Sequence, residues 1–323
     1  MRRWRGLDHL PGGWGRCVAT IGVFDGVHKG HQALIGKAVE LAKERGLPSV
    51  VLTFDPHPAE VVRPGSHPAQ LTSLTRKSEL VEQLGVDVFC VLPFTLELSK
   101  VPAAEFVHEF LVDRLHIAAV VVGRNFTFGH KATGNVAMLR DLGHRFGFVT
   151  DGADMVRVPR NGAGTDEDMV FSSTYIRACI DAGDVRAAAA ALGRPHRLEG
   201  IVVRGDGRGR ELGYPTANLS TPRNAAVPSD GVYACWFVHH PATGEAPRRL
   251  RAAVSVGTNP TFSGRERRVE AFVLDLDEDL YGQRVGLDFV ARLRDMERYD
   301  TVDALVEQVG LDVRQTRELL TGG

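Results

Sequence analysis

With 323 residues, 43% of them hydrophobic and 24% charged, the chain has an ordinary globular composition and is long enough for two domains. A formal net charge of −1 gives no long-range field to gather nucleic acid or an anionic membrane, and no apolar run approaches the roughly 18 residues that span a bilayer. The four cysteines (Cys17, Cys90, Cys179, Cys235) form no CxxC pair, which argues against zinc and for a reducing, cytoplasmic compartment.

The opening MRRWRGLDHLPGGWGR carries positive charge with no apolar core behind it, so it is not a secretory signal. The first strand is expected at Cys17–Ile21, followed by GVFDGVHKGH (22–31) and a helix over 33–44. Gly22, Gly26 and Gly30 let the backbone turn tightly and approach a ligand. The N–H groups of the helix start favour a phosphate, and His28 and His31 add two more donors. The bland readings are a surface histidine pair, or two metal ligands at i, i+3. Further strands are expected at 49–54, ending in FDPHP, at 87–92 before PFTLELSK, and at 118–122 before GRNFTFG. Helices are expected at 74–84, 102–115 and 133–146. Continuous apolar strands alternating with helices predict a parallel sheet covered on both faces, with ligands beyond the carboxyl ends of the strands. Every candidate segment falls at such an end.

FSSTYIR (171–177) precedes a helical pattern over 178–192. Its hydroxyls could simply cap that helix, while Ser173, Thr174 and Arg177 also suit phosphate oxygens. From Arg194 onward the texture changes to short β runs at 198–203, 231–238, 251–256, 268–274 and 284–293, then a helix near 301–320. That spacing predicts a small antiparallel barrel with a closing helix. The junction is placed near 183–196, dividing the chain into 1–186 and 187–323. The basic loop GDGRGRELG, with Gly205, Gly207, Gly209 and Gly213, is neither GxGxxG nor a Walker loop. In PTAN, Thr216 and Asn218 lie two apart and so face one side of an extended segment, where both are hard oxygen ligands for Mg²⁺. Glu270 alternates with apolar neighbours in VEAFVLD and is either structurally paired or a base.

His28-Lys29-Gly30-His31 resembles the HxGH signature of the nucleotidyltransferase superfamily, and SSTYIR resembles its second signature. GRELGYPTAN (209–218), GVYA (231–234), SVGTNPTF (255–262), VEAFVLD (269–275) and DLYG (279–282) resemble riboflavin kinase. From about Val18 to Asp312 the chain is similar to the bacterial bifunctional riboflavin kinase/FMN adenylyltransferase family. The resemblance implies an α/β fold: an N-terminal Rossmann-like nucleotidyltransferase domain, then a kinase barrel. It implies Mg²⁺ and ATP, with riboflavin phosphorylated to FMN by the C-terminal module and FMN adenylylated to FAD by the N-terminal one. It further implies that Gly22, Phe24, His28 and His31 line an ATP site, with Asn125, Ser173, Thr174 and Arg177 on the phosphates. In the barrel, the Gly205–Gly213 loop would cover ATP, Thr216 and Asn218 would bind Mg²⁺ and phosphate, and Glu270 would be the base. Phe54, Phe126 and Phe128 stand at strand ends where an isoalloxazine could stack, although buried aromatics are commonly plain core. Asn135 stands where the family often has Asp. Rival readings are a nucleotidyltransferase with another acceptor, or a flavin-binding sensor without chemistry. The implied partners are small molecules, with no nucleic acid and no membrane; self-association stays open.

Overall fold

A computed structural model describes residues 1–8, 10–11, 13–153, 157–158, 169–205, 209, 212–239, 246–261 and 264–321. Gly207 therefore lies outside the described residues. Internal contacts divide the chain into two units: Met1–Pro68 with Ser73–Ser172, and Ala69–Thr72 with Ser173–Gly323.

The first unit is built on six strands, β1 (Arg2–Arg5), β2 (Cys17–Ile21), β3 (Ser49–Asp55), β4 (Val88–Pro93), β5 (Ile117–Gly123) and β6 (Val149–Ala153). They pair in the order β1-β4-β3-β2-β5-β6, every pair parallel. Side-chain alternation explains why the central strands read as unbroken apolar runs. Cys17, Ala19 and Ile21 join the layer of Phe106, Leu111 and Leu139, whereas Val18 turns to Ala38 and Ala42 on the other face. β2 leads to β3 and β4 on one side while β5 sits on its other side. That reversal places the topological crevice at the carboxyl ends of β2 and β5.

Two strands lack a signal in the sequence. β1 is short and arginine-rich, and it is held by pairing with β4 and by Trp4 meeting Trp14 edge-on at 4.8 Å. β6 (VTDGA) is a polar edge strand with no apolar run to betray it. The helix expected at 102–115 has only one α-turn, Ala103–Phe106, before widening into π-type turns over Val107–Arg114. Phe106 stacks on Phe110 at 5.2 Å across that change. The helix expected from 133 begins at Val136, because the Asn135 side chain accepts the Met138 N–H at 2.9 Å and caps it.

In the second unit, the helical pattern over 178–192 is two helices, Ser173–Asp181 and Val185–Leu192. The break is steric as well as conformational: Gly183 has φ +74°, and a Cβ there would meet Ser229 Oγ at 2.5 Å and the Tyr233 hydroxyl at 2.9 Å. Both helices group with the barrel, ahead of the 186/187 boundary expected from the sequence, because Val185 is part of the barrel's own core. The barrel strands are β7 (His196–Val203), β8 (Ala217–Ser220), β9 (Gly231–His239), β10 (Arg248–Thr261), β11 (Gly264–Val273) and β12 (Arg284–Arg294). They close antiparallel in the order β7-β8-β11-β10-β9-β12, with β12 returning to β7. The helix Val302–Leu319, capped by Thr301, packs on β9, β10 and β12. All four cysteines are free and buried.

Candidate functional site

In the first unit, the helix Lys29–Glu44 starts four residues earlier than its apolar pattern does, so His28 is its N-cap and His31 stands in its first turn. The His28 Nδ1 accepts the His31 backbone N–H at 3.4 Å. A neutral imidazole that accepts at Nδ1 carries its proton at Nε2, so His28 presents a donor. The two rings stack at 3.6 Å, and His31 meets the buried Phe24 edge-on at 5.3 Å. Gly30 has a steric reason: a Cβ there would lie 3.1 Å from His28 Cε1. Gly22 has another, since its Cβ would lie 3.0 Å from the Phe24 ring. Burial holds the His31 imidazole well below its ordinary range, and the neighbouring Lys77 charge pushes the same way. Its Nδ1 is buried without a hydrogen-bond partner, a polar atom awaiting one. The loop Gly22–His28 follows β2 and the exposed Asn125 follows β5, so both flank the crevice.

The remaining residues singled out in this unit differ in what they offer. Phe128 is 8% exposed, near-parallel to Phe126 at 5.5 Å, and belongs to the core. Phe54, which meets Phe94 edge-on at 5.5 Å, and Phe126 are only partly buried. Ser173, Thr174 and Arg177 fall in the second unit by contact, where Arg177 Nε donates to the Ala69 carbonyl at 2.6 Å.

In the second unit, the barrel register brings distant residues together. Asn218 on β8 lies opposite Glu270 on β11, and the Thr216 hydroxyl donates to Glu270 Oε2 at 3.4 Å. Gly205 packs so closely on the Asn218 amide that no Cβ could fit between them. Gly209 is equally constrained by the Tyr214 carbonyl, and its own carbonyl accepts the Tyr214 N–H at 2.8 Å. Gly213 has φ +81°. Arg267, one conceivable ion-pair partner of Glu270, turns to Asp230 and the Val227 carbonyl instead.

Two cavities lie on either side of this cluster, and Thr216 lines both. The larger, about 690 Å³, runs past Ala217, Ala271, Leu280 and Tyr281. The smaller, about 270 Å³, is more apolar and is walled by Tyr214, Phe272, Val306 and Val309, with Glu270 in its lining. A bidentate pair of Arg294 with the buried Asp312 stands at its edge. Sequence reasoning misses that pair, because neither residue sits in a motif. Thr216, Asn218 and Glu270 form an all-oxygen set, which suits a hard divalent cation. Three such groups cannot fill an octahedron, so phosphate and water would supply the rest. Among the described residues no cluster of three or more His, Cys, Asp or Glu is placed to hold a metal by itself.

A parallel sheet carrying a histidine pair at a helix start, and a barrel with two cavities that share Thr216 beside Glu270, are the sites to set against known families. Residues 12–163 match the family model of FAD synthetase, and residues 192–320 match that of riboflavin kinase. The bifunctional riboflavin kinase/FMN adenylyltransferase of Pseudomonas fluorescens is 36% identical over 99% of this chain and 98% of its own length. That of Bacillus subtilis is 33% identical over 93% and 91%. The chain belongs to this bifunctional family. A solved structure named as a macrolide-efflux protein from Streptococcus pneumoniae shares the fold at TM-score 0.85 and 31% identity over 98% of this chain and 99% of its own. Among the described residues, no helix is long and apolar enough to cross a membrane.

Proposed function

We propose that the two family reactions are carried by separate residue sets, riboflavin phosphorylation by Thr216, Asn218 and Glu270, and adenylyl transfer to FMN by His28 and His31. The observation that carries the kinase reading is the Thr216–Glu270 contact at the meeting of the two cavities. The larger cavity takes ATP, and the smaller, apolar one takes the isoalloxazine, so the ribityl hydroxyl arrives beside Glu270. That carboxylate accepts the hydroxyl proton as the oxygen attacks the γ-phosphorus, and ADP leaves. Thr216 orients the carboxylate and lines the phosphate path. Mg²⁺, held by Thr216 and Asn218, would neutralise phosphate charge when bound. Gly205, Gly209 and Gly213 are assigned to the ATP side of the barrel site.

In the other reaction the FMN phosphate attacks the α-phosphorus of a second ATP, and pyrophosphate leaves. Charge builds on the phosphate oxygens. His28, with its Nε2 proton, and His31 at the helix N-terminus donate to them. Gly22 and Phe24 shape the ATP side, and Asn125 is assigned to its phosphates; Ser173, Thr174 and Arg177, expected from the sequence to share that role, fall in the second unit. Phe54 and Phe126 are assigned to the flavin ring; Phe128 supports Phe126 from the core. Small molecules are the proposed partners and the cytoplasm the proposed location. The test is the full chain incubated with riboflavin, ATP and Mg²⁺, products separated by chromatography. FMN followed by FAD supports the reading; riboflavin bound tightly but unchanged would support a sensor instead.

A further inference from the structure

Lys77 is a charge in an unexpected place. It stands in the second turn of the helix Leu74–Gln83 and is 6% exposed. Burying an ammonium is costly unless it is paired or hydrogen-bonded. Its Nζ donates to the Val23 carbonyl at 2.8 Å. The Thr53 hydroxyl, from the end of β3, donates to the same oxygen at 3.1 Å. That carbonyl therefore accepts two hydrogen bonds from two different elements. Immediately after it the chain takes left-handed conformations that side chains rarely adopt: Phe24 has φ +50°, Gly26 φ +85° and Val27 φ +39°. Phe24 then meets His31, and His31 stacks on His28. Asp25, itself 4% exposed, and Asp55 oppose the Lys77 charge, while burial lowers its affinity for a proton.

We infer that Lys77 is a positioning residue for adenylyl transfer, clamping the Val23 carbonyl so that the strained loop places His28 and His31 on the phosphates. The physical reason is that a loop in these conformations relaxes unless the surrounding structure over-determines it. Two donors on one carbonyl, one of them charged, supply that restraint at the root of the loop. The inference rests on the histidine pair being the adenylyl-transfer site, and the test separates the two.

The experiment compares Lys77→Met, Lys77→Arg and Thr53→Val with the full-length parent. Readouts are kcat and ATP KM for FAD formation from supplied FMN, riboflavin kinase kcat, and melting temperature. Misplacement of a catalytic group by about 1 Å costs on the order of 10²-fold in rate. Lys77→Met is therefore expected to lower the FAD-forming kcat by about 10²-fold, with ATP KM changed by less than about threefold. Lys77→Arg keeps a charged donor and is expected to restore at least about tenfold of the loss. Thr53→Val is expected to lower kcat less, and the double variant to fall close to Lys77→Met, since both act on one oxygen. Kinase kcat should not move. A folded Lys77→Met with unchanged kcat overturns the inference, and so does a loss confined to KM. If Lys77→Met does not fold, a folded Thr53→Val with full kcat overturns it. If His28→Ala leaves FAD formation intact, the site assignment fails rather than the clamp.

Discussion

In the first unit the two histidines proposed for adenylyl transfer lie three residues apart at a helix start, and a glycine between them makes the room they need. In the second, Thr216 and Glu270 lie 54 positions apart and meet because β8 and β11 pair in a closed barrel. The first site thus depends on local backbone geometry: a strained loop, an N-cap, a missing Cβ. The second depends on register, which the whole barrel enforces, since a one-residue slip would turn every side chain to the other face. Local geometry can be spoiled by a methyl group; register resists small insults but gives way entirely when the barrel opens. The same difference decides which residues can be tested without disturbing the fold.

The largest expected effect separates the units by chemistry. Glu270→Gln keeps size and hydrogen bonding but cannot accept a proton, and is expected to lower FMN formation by about 10²–10⁴-fold with riboflavin binding kept. FAD formation from supplied FMN should continue. Near-normal kinase turnover in a destabilised protein would show that Glu270 is structural. His28→Ala should do the converse, lowering FAD formation by about 10²–10³-fold while FMN formation persists. Equal losses in both activities would point to a shared site or to global unfolding.

The sheet, the barrel and the first motif were legible because each rests on a local pattern. The continuous apolar runs Cys17–Ile21 and Ile117–Gly123 read as buried strands from their length and β-branched content, and GVFDGVHKGH is contiguous. Thr216, Asn218 and Glu270 were named from spacing and resemblance, but their juxtaposition needed the register. Lys77 was invisible because a lysine in TRKSEL reads as a solvated helix residue; only the fold brings the Val23 carbonyl to it. The π-type turns at Val107–Arg114 and the edge strand Arg2–Arg5 are set by tertiary packing and leave no period in the sequence.

Smaller effects sharpen the claim about local geometry. Gly30→Ala places a Cβ against the His28 ring and should lower FAD formation on the order of tenfold, with little change in melting temperature. An unchanged rate would mean that the His28 ring can shift freely. Acidification probes His31. Burial holds its folded-state pKa well below 6.5, so below 6.5 the unfolded chain takes up a proton that the folded unit refuses. Unfolding is then favoured, and stability falls as pH drops through that window. Melting curves between about pH 5 and 7 should show a slope that flattens in His31→Asn. An equal slope in both proteins would assign it to other groups.

The smallest effect concerns Asn135, a position at which the sequence resemblance implies Asp. If a carboxylate were needed for chemistry at that turn, this chain should be impaired and Asn135→Asp should raise FAD formation. The side chain is instead engaged in the fold, where its Oδ1 accepts the Met138 N–H and caps the helix Val136–Phe146. An Asp oxygen caps equally well and adds a favourable charge at a helix N-terminus, about 0.3–1 kcal/mol. An Ala cannot cap, at a cost of about 1 kcal/mol, or roughly 3 °C in melting temperature for a unit of this size. The expected order of stability is therefore Asn135→Asp at or above the parent, and Asn135→Ala below it. FAD-forming kcat should be the same in all three at a temperature where all are folded. A kcat that rises severalfold in Asn135→Asp would move this position from the cap of a helix into the chemistry of the first unit, and the contrast between a locally built site and a register-built one would then need a third, acidic member on the local side.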